Sequence, residues 1–355
     1  MKKVGILTFH YVDNYGAVLQ AYALRKKINE LPDCRAEIIN YVPPGFAYEL
    51  YGSGDEYREM LQTKRRRFEE FLTEYCGIGT PMLSAVEDSG FDYYCVGSDQ
   101  VWNAGKKGHD LEYFFASLPE EAVKISYAAS IGMSVQRANS YREVFSKYLS
   151  GFKAVSVREE EHVKFASEMA GKECLCVADP TLLLDAEDYE VVVAKQSLRR
   201  EPFVFFFWLV HDDEILKGID FVNTISEKYR LPVVHNVTDV QKSVFHNDGG
   251  CMMGEGIENF LWYIKHAKYV VTNSYHASLF SIRFKTPFYI FTVESMRSRI
   301  DMLVRKYGIA SRIADKYIAP DEIDECVCFD AIEMKIKTER DKSLDYLKDA
   351  LDIER

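Results

Sequence analysis

"VVTNSYHASLFSIRF", residues 270–284, runs an apolar strand through a polar turn into a helix. The strand stops at Thr272, the turn carries Asn273, Ser274 and Tyr275, and His276 stands at the mouth of the helix. Small residues follow at Ala277, Ser278 and Ser281. A strand that feeds a helix in this way leaves unpaired backbone N–H groups at the helix start. Small side chains let another molecule come close to that backbone. The arrangement suits an anion, and the histidine beside it suits a phosphate or an acid–base step. Helix capping explains Asn273 and Ser274 equally well, so both readings stand at this point.

The same alternation runs along the chain. Apolar runs fall at 3–9, 36–41, 92–96, 124–129, 154–157, 174–178, 203–210, 232–237, 268–272 and 287–292. Helical patterns lie between most of them, at 16–30, 56–75, 136–149, 159–170, 212–229, 256–267, 276–284 and 296–307, and the segment 331–351 is polar and helical. Runs apolar on both faces that alternate with helices mean parallel sheets in an α/β protein. Ten strands are many for one sheet, and a break falls after Asp179-Pro180. The expected organisation is therefore two Rossmann-like domains, 1–184 and 185–330, facing a central cleft, with a C-terminal helix over 331–355. Ligands of such sheets bind in the crevice at the carboxyl ends of the strands.

Composition narrows the function. The formal charge of −11 over 355 residues argues against nucleic acid as a partner, and any anionic ligand must be held by a local site. "FVFFFWLV" (203–210), bounded by Pro202 and His211, is too short to span a bilayer and reads as a buried strand. The opening apolar run is too short for a signal peptide and is broken by His10 and Asp13, so a cytoplasmic location is expected. Cys174/Cys176 and Cys326/Cys328 are spaced i and i+2, as on one face of a strand, and the eight cysteines read as small, reduced, buried residues. No CxxC and no histidine pair at ligand spacing occurs, so no metal is expected. The run Lys64-Arg65-Arg66-Arg67 reads as a solvated helix face.

Three further strand ends carry reactive or polar groups. In "TFHYVDNYGAVLQAYAL", Asn14 and Gly16 stand where a phosphate turn would be, yet GxGxxG is absent. Asp13 and Asn14 suit either sugar hydroxyls or a helix cap. "FDYYCVGSDQVWN" brings Asp99, Gln100, Trp102 and Asn103 together. A carboxylate, amides and an indole resemble a carbohydrate platform, against the alternative of a cap over a buried Trp. Arg158 follows the run 154–157 and is a natural fork for a carboxylate or phosphate; a surface pair with Glu159 or Glu161 is the competing reading.

"DNYGAVLQAYAL", "VGSDQVWN", "SVRE", "ADPTLLL", "VVTNSYHASLFSIRFKTPFYIF" and "SRIDMLVRKYGI", in this order over about residues 3 to 312, resemble the signature segments of the polysaccharide pyruvyl transferase family. The resemblance implies a fold like that of GT-B glycosyltransferases and transfer of pyruvate from phosphoenolpyruvate to a sugar as a ketal. It carries donor binding onto Arg158 and His276, with Arg299 of "SRIDML" a weaker candidate. The donor is expected on the second domain and the acceptor on the first. His276 is the expected acid, and Asp99 or Asp13 the expected base. Asn273, Ser274, Asn14 and Trp102 are the further substrate-binding candidates. No cofactor is implied beyond phosphoenolpyruvate as donor substrate; the acceptor is a sugar, and a lipid-linked acceptor with peripheral membrane contact is compatible with the resemblance. Two other readings share the architecture: a glycosyltransferase using a nucleotide sugar, and a non-catalytic binder of glycans or phosphosugars. The segment 238–255 matches none of the family's pieces and reads as a loop.

Overall fold

All ten apolar runs form strands in the computed structural model, which describes residues 1–44, 46, 55–78, 82–83, 85–87, 89–104, 110–195, 197–209, 214–237, 244–316, 318–324 and 326–354. The strands are β1 (Lys2–Leu7), β2 (Cys34–Ile38), β3 (Tyr93–Val96), β4 (Lys124–Ser126), β5 (Phe152–Val157), β6 (Cys174–Cys176), β7 (Val204–Phe207), β8 (Val233–His235), β9 (Asp248–Cys251), β10 (Tyr269–Thr272) and β11 (Phe288–Ile290). The helices are α1 (Tyr15–Asn29), α2 (Asp55–Cys76), α3 (Val135–Ala138), α4 (Arg142–Leu149), α5 (Val163–Ala170), α6 (Ala186–Tyr189), α7 (Ile215–Tyr229), α8 (Ile257–His266), α9 (Tyr275–Arg283), α10 (Arg297–Tyr307) and α11 (Phe329–Ala350). Strand β9 was not expected. Its sequence, Asp-Gly-Gly-Cys, lacks the apolar run that marks the others, and among the described residues it pairs only with β8, across a register shift. It lies in the segment 238–255 that read as a loop; 238–243 of that segment, with Val210, His211 and the first residues of the pattern 212–229, lie outside the described residues.

Two parallel sheets result, a six-stranded one in the order β2-β1-β3-β4-β5-β6 and a five-stranded one in the order β11-β10-β7-β8-β9. The chain divides into two compact units: residues 1–49, 70–184 and 337–355 form one, and 50–69 with 185–336 form the other. The first unit takes in the last turns of the C-terminal segment for a physical reason. Tyr346, Leu347 and Leu351 are buried against Val4, Ile6 and Cys95 of its sheet. Tyr346 donates its hydroxyl hydrogen to the Ser126 carbonyl at 2.7 Å, and Ser343 Oγ accepts from the Ala178 backbone at 2.9 Å.

In the second unit the continuous apolar strand β7 forms the centre of an aromatic core. Phe206 stacks on Trp208 at 5.3 Å, and Phe207 meets Phe260 of α8 edge-on at 5.0 Å. Trp208 lies so close under α7 that a Cβ on Gly218 would sit 2.4 Å from its ring. Among the described residues, no helix is long and apolar enough to cross a membrane, and no group of three or more His, Cys, Asp or Glu side chains is placed to hold a metal ion.

Two local expectations are corrected. Cys326 and Cys328 are exposed and stand outside any strand, since they precede α11 in an irregular segment, so their spacing carries no shared buried face. Trp102 is wholly buried: it stacks on Phe114 at 5.6 Å with rings 2° from parallel, and its Nε1 donates to the Tyr113 carbonyl at 2.9 Å. It is a core residue of the first unit, and its faces are taken by protein rings, not offered to a sugar. Replacing it tests that assignment. Trp102→Ala is expected to destabilise the first unit by about 3–5 kcal/mol, read as an earlier urea transition; a loss below about 1 kcal/mol would contradict the buried role.

Candidate functional site

In an open parallel sheet the ligand crevice opens where the strand order reverses, because the loops of the two neighbouring strands leave toward opposite faces. The order reverses between β1 and β3 in the first sheet and between β7 and β10 in the second. The first reversal is flanked by the loop holding Asp13 and Asn14, after β1, and by Gly97 to Gln100, after β3. The second is flanked by Trp208 and Leu209, after β7, and by Asn273 to His276, after β10.

At the first reversal, Thr8 donates its hydroxyl hydrogen to the Ser98 carbonyl at 2.7 Å, and Gln20 of α1 donates to Thr8 Oγ1 at 2.9 Å. This tie brings Thr8 so near that a Cβ at residue 97 would lie 2.9 Å from Thr8 Cβ, which accounts for the glycine in "VGSDQ". Asp99 is half-buried and holds a left-handed backbone, φ 77°. Its carbonyl accepts from Ser130 N at 2.9 Å and its carboxylate from Gln100 N at 2.7 Å. Such a backbone costs on the order of 1–3 kcal/mol and is held by surrounding structure, commonly at functional sites. Asn103 donates to Gln100 Oε1 at 3.2 Å and to the Gly132 carbonyl at 2.9 Å. Asn14 is a cap: its side-chain oxygen accepts from Gly16 N and Ala17 N, at 3.0 and 3.3 Å. Asp13 is half-buried beside it.

The second reversal is tied by the same device. Thr272 donates to the Phe207 carbonyl at 2.6 Å, and its Oγ1 accepts from Ser274 N at 3.0 Å. The two turn residues that read equally as caps divide the work. Ser274 is the N-cap of α9, accepting from Ala277 N at 3.3 Å. Asn273 instead accepts from Leu209 N at 2.7 Å, pinning the loop after β7. That bond fixes the amide orientation and leaves Asn273 Nδ2 as a wholly buried donor without a hydrogen-bond partner among the described residues. A buried donor left without a partner calls for an explanation, since such groups are almost always paired. His276, the second residue of α9, is 9% exposed and meets the Tyr275 ring edge-on at 5.2 Å. All nine residues of α9 are buried, and Ser278 and Ser281 donate to the carbonyls four residues back, at 2.9 and 2.8 Å.

Arg158 is buried behind the loop that flanks the first reversal, against Ser98. It is 1% exposed, and donates to Asp179 at 3.0 Å, to Glu159 at 3.3 Å and to Ser98 Oγ at 3.4 Å. The surface pair and the solvent-facing fork both give way to a buried tie that joins the ends of β3, β5 and β6. Its charge already meets two carboxylates. Glu159 also accepts from Ser130 Oγ at 2.6 Å and lies 3.7 Å from His162 Nδ1, while His162 Nε2 is 2.8 Å from the Met133 carbonyl. Both ring nitrogens thus face acceptors, which favours the doubly protonated ring. Burial alone would raise the Glu159 carboxyl, but His162, Arg158 and Ser130 outweigh it and bring it down to about 2. Burial alone would lower His162, and Glu159 raises it above the ordinary histidine value. Arg299 is half-buried on α10, with Nη2 2.8 Å from the Met296 sulfur.

The family model described as polysaccharide pyruvyl transferase matches residues 14–295. The chain belongs to that family. It is a family of transferases with a sugar acceptor. Solved structures with the same fold include a UDP-N-acetylglucosamine 2-epimerase at 10% identity and TM-score 0.55, covering 99% of this chain and 95% of that one. The enzyme of the same name from Rickettsia bellii has 9% identity and TM-score 0.54, over 99% and 97% of the two chains. The UDP-GlcNAc 2-epimerase from Neisseria meningitidis, bound to UDP-GlcNAc, has 12% identity and TM-score 0.51, over 100% and 95%. These likenesses establish a GT-B-like α/β fold. No curated protein matches the sequence.

In this pyruvyl transferase family member, Thr8, Ser98, Asp179 and Thr272 escaped the sequence reading, although Asp179 stands in the quoted "ADPTLLL" and Thr272 ends the opening strand. The buried charges yield a test. Glu159→Gln leaves Arg158 and His162 under-compensated and is expected to cost about 3–5 kcal/mol. Because the Glu159 carboxyl titrates lower folded than its ordinary 4.5, its stabilisation is full above pH 4.5 and is lost as pH falls toward 2. His162, raised above 6.5, contributes fully below that pH and loses its contribution as pH climbs through the raised value. Urea midpoints measured from pH 3 to 7 should therefore fall more steeply on the acid side for the native protein than for Glu159→Gln; parallel curves would refute the pairing.

Proposed function

We propose that the protein transfers pyruvate from phosphoenolpyruvate to two hydroxyls of a sugar, in a polysaccharide or its precursor, forming a ketal. The observation that supports this most directly is the second strand-order reversal, which brings together the α9 N-terminus, His276 and Asn273 Nδ2, a donor without a hydrogen-bond partner among the described residues. Phosphoenolpyruvate carries a carboxylate and a phosphate monoester of about −1.5 to −2 charge. Helix-start N–H groups and a buried amide donor suit such an anion, and they provide local attraction in a chain of formal charge −11.

The chemistry needs one proton delivered and one removed at the first step. Protonation of the donor's methylene carbon makes C2 an oxocarbenium-like electrophile. A sugar hydroxyl attacks C2 and gives up its proton to the base, the C2–O bond to phosphate breaks, and a second hydroxyl closes the ring, its proton leaving with the phosphate. Phosphate leaves and the ketal carries both sugar oxygens. We assign the acid to His276 and the base to Asp99, with Asp13 as the other carboxylate at the first reversal. Asp99 suits the role because the bond from Ser130 N holds its strained backbone and the bond from Gln100 N holds its carboxylate. Arg158 takes no direct part in this reading; it positions the strand ends.

The test combines donor binding with turnover. His276→Gln is expected to bind phosphoenolpyruvate by calorimetry but to lose turnover by roughly 10²–10⁴-fold, whereas a purely electrostatic role would weaken binding and spare turnover at saturation. Asp99→Asn should lose more turnover than Asp13→Asn. Transfer of label from phosphoenolpyruvate to a panel of sugar acceptors is expected in the native protein. Transfer from nucleotide sugars instead, or binding with no transfer, would overturn the assignment.

A further inference from the structure

The second unit carries a cavity of about 610 Å³ that the reading above does not use. Phe203, just before β7, and His266, the last residue of α8 and just ahead of β10, both line it. It therefore sits at the amino ends of the two strands whose carboxyl ends make the second reversal. A four-residue strand separates the two edges by about 13 Å, so they are different places.

The lining is cationic in an acidic chain. Lys195, Arg199, Arg200 and Lys265 contribute four permanent positive charges, against the carboxylates of Glu190 and Glu201. Lys265 is matched by Glu190 at 2.5 Å. Lys195 and Arg200 are exposed and have neither an ion-pair nor a hydrogen-bond partner among the described residues. Arg199 is anchored: it donates to the Gly249 carbonyl, its guanidinium lies 5.9 Å from the Phe203 ring centre, and its buried Nε has no hydrogen-bond partner among the described residues. Behind these groups, Trp262 stacks on Phe203 at 5.9 Å and His266 on Trp262 at 4.3 Å, a fixed wall ending in an exposed imidazole.

We infer that this cavity is a second anion site, for the phosphate group of a small phosphorylated ligand. Two neighbouring arginines offer forked donors that match a phosphate, and lysines add point charges. The volume lies in the range that holds one small molecule. Cations left without partners at one spot of a chain of formal charge −11 concentrate a local attraction that its net charge does not provide. The inference does not depend on the pyruvyl transfer reading, because it uses none of the same residues.

The experiment is calorimetric titration at low salt with inorganic phosphate, pyrophosphate and glucose 1-phosphate, run on the His276→Ala protein, which lacks the carboxyl-edge imidazole, so that replacements in the cavity tell the two sites apart. Binding is expected to persist there, to weaken about tenfold in Arg200→Gln and again in the Lys195→Gln, Arg200→Gln double variant, and to fade as salt screens the exposed charges. Both replaced side chains are exposed, so an unchanged thermal midpoint is expected for the fold. Tighter binding of glucose 1-phosphate than of phosphate identifies an organic phosphate as the ligand; equal binding identifies the free ion. No binding to His276→Ala, or binding indifferent to both replacements, would overturn the inference.

Discussion

One hydroxyl at each strand-order reversal holds the working edge of its sheet together. Where two parallel neighbours send their loops to opposite faces, the ladder ends and the last carbonyls lose strand partners, a cost that must be met locally. Thr8 meets it at the first reversal by donating to Ser98, and Thr272 at the second by donating to Phe207. Threonine suits the task because its β-branched stem packs as a strand residue while its hydroxyl reaches sideways. From these two ties follow Gly97, which makes room for Thr8, and the placement of Ser274, whose backbone donates back to Thr272.

Around this edge the first unit carries a buried charged network that resembles a binding site in sequence and acts as a brace in structure. Arg158 joins the ends of three strands through Ser98, Asp179 and Glu159. Removing either carboxylate would strand a buried guanidinium, which is why such networks hold only when each member is matched. The brace lies beside Ser130, whose backbone fixes Asp99 in its left-handed conformation. Rigid support of that kind is what lets a carboxylate keep a strained position ready for chemistry.

Under the two proposals, the ends of the second sheet hold anions by different means in an acidic chain. At the carboxyl end the means are backbone N–H groups and an amide, which add no net charge. At the amino end they are side-chain cations concentrated on one cavity. Neither requires the long-range field of a basic surface, and neither is visible in the formal charge.

Much of the fold was legible in the chain. Buried parallel strands must be apolar on both faces, so ten of the eleven announced themselves, and the alternation with amphipathic helices left an α/β architecture as the natural outcome. Strand β9 stayed hidden because Asp-Gly-Gly-Cys carries no apolar pattern, and its pairing is decided by β8. His276, Asp99 and Asp13 could be picked out because polar residues at the ends of apolar runs point to strand termini. What side chains do once there depends on neighbours far away in sequence. Trp102 looked like a platform until Phe114 covered its face, Arg158 like a clamp until Asp179 took its charge, and Asn273 like a cap until Leu209 claimed its oxygen. The sequence by itself determined where strands end and which polar groups arrive there, because hydrophobic burial acts through local pattern; tertiary structure alone decided which of those groups are already paired, because their partners come from other strands.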